Sequence, residues 1–63
     1  MPMTLYVAIR KSKAGYEYLD NTNISPERVL VEIRVERDKK NHPESEKRFP
    51  FVRIATFVEQ ETP

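Results

Sequence analysis

Residues 3–10 alternate without a break: Met3, Leu5, Val7 and Ile9 fall on one side of an extended chain, and Thr4, Tyr6, Ala8 and Arg10 on the other. That two-residue period predicts a half-buried strand. The next four residues, Ser12-Lys13-Ala14-Gly15, hold the only glycine in the chain. Glycine can take a positive φ, so a tight hairpin loop is expected here, with Tyr16–Leu19 as the returning strand. If Lys11 faces Tyr16, Arg10 faces Glu17 as an opposite-charge pair and Ile9 faces Tyr18, which puts Tyr16 and Tyr18 on the face of Val7 and Ile9.

Asp20-Asn21-Thr22-Asn23 is turn chemistry, and Ser25-Pro26-Glu27 has the form of an N-cap, a first-turn proline and a first-turn acid, so a short helical turn is expected at 25–28. Beyond it Val29, Val31, Ile33 and Val35 recur at every second position, set against Glu32, Arg34 and Glu36. The β-branched apolar positions favour a strand over 29–37. A longer helix launched from Ser25 is the competing reading, because Glu, Arg and Leu suit a helix; its apolar residues would then wind around it.

The stretch 38–48 contains no large apolar side chain and includes Pro43, which predicts a mobile charged loop. Phe49-Pro50-Phe51 then opens a final strand with apolar residues on both faces, a pattern expected of a central strand, with Pro50 confined to its beginning. Residues 59–63 form a polar tail. The elements add up to a single mainly β (or small α+β) domain over residues 1–63, with a three- to four-stranded antiparallel sheet curled towards a small barrel.

Composition narrows the function. At 63 residues the chain hides only about 60% of the surface its unfolded form exposes, so its stability margin is thin. With no cysteine, disulfides are excluded and no thiolate is on offer to a metal, which leaves homodimerisation as the remaining reinforcement, or a fold that lives on a small margin. The lack of cysteine, and an N-terminal apolar run too short for a signal peptide or a bilayer span, point to a cytoplasmic protein with no membrane segment. Eleven basic and ten acidic residues leave a formal charge of +1, which demands no polyanionic partner.

Candidate chemistry is sparse. His42 is the only histidine, without a nucleophile or acid fixed beside it, so neither a catalytic triad nor a zinc site is expected. One glycine cannot make a phosphate-cradling loop. Asn23-Ile24-Ser25 matches a glycosylation acceptor by chance. No cofactor is expected and the chain does not read as an enzyme. What remains is surface: sheet edges that recruit another strand, and the charged stretch with Lys39, Lys40, Lys47 and Arg48 to pair with carboxylates. The expected function is a small regulatory protein that binds another protein, or itself, through a strand edge and that stretch. The alternative is a nucleic-acid-binding β domain using Tyr6 with Arg10, Lys11, Lys13 and Arg53, since aromatic faces stack on bases while cations take phosphates.

Overall fold

The computed structural model describes residues 2–60; Met1 and residues 61–63, the end of the expected polar tail, lie outside the described part. Three strands and two helices follow one another as β1 (Thr4–Lys11), β2 (Glu17–Ser25), α1 (Arg28–Asn41), α2 (Pro43–Arg48) and β3 (Phe51–Val58). The strands form one antiparallel sheet in the order β2-β1-β3, open rather than closed into a barrel. The centre is therefore β1, and β3, expected in the middle, is an edge. The reason lies in side-chain size: Val7, Ala8 and Ile9 are small or β-branched on both faces and all three are buried, as a strand with neighbours on both sides requires.

The β1–β2 hairpin forms where the glycine predicted it. The Gly15 amide donates to the Ser12 carbonyl at 3.0 Å, and Gly15 then takes a φ of +95°. A tight turn followed by a left-handed glycine is the three-residue hairpin loop. The Ser12 amide closes it on the Tyr16 carbonyl at 2.7 Å, so the returning strand runs one residue later than expected. Lys11 faces Glu17, Arg10 faces Tyr18 and Ile9 faces Leu19. The opposite-charge pair survives with different members, and Leu19 replaces Tyr18 beside Ile9. Farther along, Val7 faces Ile24, so the four residues Asp20–Asn23 of β2 stand opposite the single residue Ala8 of β1. The excess is a bulge at Asp20–Asn23, stapled by Asp20, whose carboxylate accepts from the Thr22 amide and hydroxyl.

The largest departure from expectation is residues 29–37, which are helical and not a strand. Their alternation is compatible with both structures, because Val31 and Val35, four apart, share one helix face while Val29 and Ile33 share the opposite one. Valine and isoleucine cost at most about 0.7 kcal/mol each in a helix relative to alanine. Against this stand an Arg28–Glu32 ion pair at 3.0 Å, a Glu36–Lys39 pair at 3.7 Å and Lys39 and Lys40 in the negative last turn. A fourth strand would also have left the sheet uncovered on both faces. As a helix the segment covers one: Val31 and Val35 pack on Ala8, flanked by Tyr6, Phe51 and Ile54.

The expected N-terminal signal is in place but displaced. Ser25 Oγ accepts from the Glu27 amide at 3.0 Å and the helix starts at Arg28. The stretch 38–48, expected to be a loop, is the end of α1 followed by α2. Its proline occupies the first turn of α2, with Glu44 and Glu46 beside it and Lys47 and Arg48 in the last turn, an arrangement that suits the helix dipole at both ends.

Candidate functional site

The two faces of the sheet carry different chemistry, and cross-strand pairing sorts the residues between them. Even-numbered residues of β1 point to the helix side, where Ala8 faces Ile54 and Tyr6 faces Thr56 and Ser25. Arg10 lies in the same row, 9% exposed. Its Nε donates to Asp20 at 2.7 Å, and its Nη1 donates to Glu46 at 3.0 Å and to the Phe49 carbonyl at 3.1 Å, while Asp38 stands 3.8 Å from Nη2. Asn23 donates to both Asp20 and Asp38, and the second oxygen of Glu46 accepts from the Phe51 amide. One guanidinium thus ties the β2 bulge, the end of α1, α2 and the start of β3 together.

The same contacts set the charge states. Burial alone would push the Asp20 carboxyl up, but hydrogen bonds from Arg10, Thr22 and Asn23 outweigh it and bring it down to about 2. Burial likewise pulls the Arg10 guanidinium down, and its bonds to Asp20 and Glu46 more than reverse that, leaving it raised. Every buried side-chain nitrogen or oxygen among the described residues has a hydrogen-bond partner. A cleft of about 410 Å³ opens beside this cluster, rimmed by Tyr18, Phe49 and His42; Tyr18 meets Phe49 edge-on at 6.1 Å. The three carboxylates here are arranged around Arg10, and no group of three or more His, Cys, Asp or Glu among the described residues is arranged to hold a metal ion.

Among the described residues no second layer covers the other face. Leu5, Val7 and Ile9 form its floor, with Leu19, Ile24 and Glu17 contributed by β2 and Arg53, Ala55 and Phe57 by β3. Val7 and Ile9 are each only 4% exposed, yet no helix lies over them. Ile9 is roofed by Arg53, which reaches across the central strand to Glu17 with 2.8 Å between Nη2 and Oε1. Around that bridge the apolar side chains stand open: Leu19 is 51% exposed, Phe57 48%, Ile24 38% and Met3 60%. This is an apolar floor with an apolar rim and one ion pair across it.

The predicted binding residues are distributed among these places. Arg10 is held within the fold by its three carboxylates, and Tyr6 packs against the core instead of standing free. Lys39 is drawn in as well, its Nζ 5.1 Å from the centre of the Phe51 ring. Lys11 and Arg53 belong to the open face, with Lys11 opposite Glu17. Lys40 lies exposed near the end of α1. Lys13, Lys47 and Arg48, far apart in sequence, line one shallow depression with Ser12, Phe49 and Pro50. The set proposed for nucleic acid is therefore divided: Tyr6 and Arg10 on the helix side, Lys11 and Arg53 on the open side, Lys13 at the hairpin tip.

Sequence reasoning overlooked Leu19, Ile24 and Phe57 as surface residues with a shared position. The signal was present in β1 itself, whose two sides are both apolar enough to need covering, while the chain has one long helix to do it. No family model matches the chain, nor does any curated protein or solved structure.

Proposed function

We propose that this protein is a non-enzymatic binding module that engages another polypeptide through the uncovered face of its sheet, with the adjoining edge of β3 open to pairing with a further strand. One observation carries the proposal: Val7 and Ile9 are core residues by burial on a face that no second layer covers among the described residues, with Leu19, Ile24 and Phe57 exposed around them. A sheet face of this composition ordinarily packs against another element. The β3 edge adds main-chain groups that an incoming strand can pair with. Lys13, Lys47 and Arg48, gathered at the hairpin tip and the end of α2, offer a secondary contact for carboxylates. The charged stretch 38–48 enters this function only through that cluster, because Asp38 and Glu46 are engaged with Arg10.

A photo-reactive residue placed at position 19 or 24, and separately at position 13, tests this in the source cell. A covalent adduct with one defined polypeptide from positions 19 and 24, competed away by unlabelled protein and lost in Ala55→Lys, is the expected result. Adducts confined to position 13, or formed with nucleic acid, would overturn it.

A further inference from the structure

The two edges of the sheet differ. β2 is interrupted by the Asp20–Asn23 bulge, and bulges are a usual protection against strand addition. β3 pairs with β1 without a break from Arg53 to Val58, and α1 lies over β1 and β2. Among the described residues no strand pairs with the other side of β3. Hydrogen bonds at both ends of the β1–β3 ladder show which groups point outward: the Lys11 amide donates to the Pro50 carbonyl, and the Glu59 amide to the Met3 carbonyl. Odd-numbered residues of β1 therefore bond towards β3. By the alternation of an antiparallel ladder, Arg53, Ala55, Phe57 and Glu59 bond inward, while the amides and carbonyls of Ile54, Thr56 and Val58 face away from the sheet.

This outward row is self-complementary. We infer that the β3 edge is occupied by the β3 edge of a second copy, antiparallel about a two-fold axis at Thr56, giving a continuous six-stranded sheet. In that register the outward-bonding residues meet as Thr56 with Thr56 and Ile54 with Val58. On the open face Ala55 meets Phe57, small against large, and Arg53 meets Glu59. The last pair is the charge match: Arg53, which also bridges to Glu17, and Glu59, whose carboxylate also accepts from the Met3 amide, are the two ionic side chains of residues 51–59, and only this two-fold brings each opposite the other, twice. Pro50, without an amide, stays outside the paired stretch.

The area of the open face supports the same arrangement, and here the inference rests on the proposed function and deepens it. Eight-residue strands are about 26 Å long, and three of them span about 14 Å, so one face measures about 370 Å². That is roughly half of the ~800 Å² per partner of a standard protein interface. Two copies joined edge to edge offer about the whole of it, on one side of one sheet. The second copy takes the edge and the partner takes the face.

The full chain in a sedimentation equilibrium run should give the mass of two chains, falling to one in Arg53→Glu, which sets like charges against each other twice. The double variant R53E/E59R should restore the dimer, which a merely misfolded variant would not do. Since the chain has no native cysteine, Thr56→Cys should form a disulfide-linked dimer under mild oxidation, and Leu19→Cys, on the far strand, should not. This arm also decides the matter if Arg53→Glu fails to fold. A single-chain mass at every concentration, or cross-linking through Leu19→Cys and not Thr56→Cys, would overturn the dimer. Adducts from positions 19 and 24 that persist in a single-chain protein would sink this inference alone; their absence from a proven dimer would sink the proposed function alone.

Discussion

β1 buries residues on both of its faces, but by different means. On the helix side Ala8 is fully enclosed by Val31 and Val35, and the polar end of that side is closed by Arg10 and its three carboxylates. On the other side Val7 and Ile9 are shielded by their own sheet neighbours and by the Arg53–Glu17 bridge. The first arrangement is complete within one chain. The second covers the floor and leaves the rim wet, so stability resides on one face and the proposed recognition on the other. Substitutions on the two faces should therefore have different consequences.

The sharpest test is Arg10→Ala. It leaves Asp20, Asp38 and Glu46 converging without their cation, and removing one partner from a buried charge cluster costs about 3–5 kcal/mol. For a domain this small that is most of its stability, and urea unfolding followed by circular dichroism should show a variant at or near the unfolded baseline. Val31→Ala removes buried methyl groups from the same face and leaves a cavity, at a cost of about 2 kcal/mol by the same assay.

The Asp20 carboxyl gives the helix side a pH signature. Its folded value of about 2 lies below the ordinary 3.8, so the stability it supplies is complete above the unfolded value and is lost as pH falls from about 4 to about 2. At roughly 1.4 kcal/mol per pKa unit this amounts to about 2 kcal/mol. Asp20→Asn should be weaker than the native chain by that amount at pH 7, with the gap closing across the same window. A constant gap down to pH 2 would show that the carboxylate's charge is not what counts.

The smallest effect belongs to the open face. Leu19→Lys, at a half-exposed rim position, should change the unfolding free energy by no more than about 0.5 kcal/mol while abolishing partner adducts from position 24. If instead it unfolds the chain, the open face is core and the contrast fails.

How far this was legible in the sequence depended on the period of each segment. β1 and its hairpin could be read because an unbroken two-residue alternation and a lone glycine each have one common structural meaning. The spacing of Val29, Val31, Ile33 and Val35 has two, since every second step of a strand pattern is also one turn of a helix. Only tertiary demand, a sheet face lacking cover, decided between them. α2 has no apolar face to announce it, although Pro43, the two acids after it and Lys47-Arg48 spell out a helix with well-placed charges. Arg10 was noticed for its charge, but its partners at positions 20, 38 and 46 come from three different elements, and no local pattern could announce that they meet.

The difference between the two faces can be measured in one spectrum. With methyl groups labelled and a neutral gadolinium chelate in solution, the methyls of Leu19, Ile24, Val29 and Ile33 should relax strongly, while those of Val31 and Val35 keep their intensity. Equal protection of Leu19 and Ile24 would mean that the sheet is already covered on both sides within one chain, and the account of a recognition face would be contradicted.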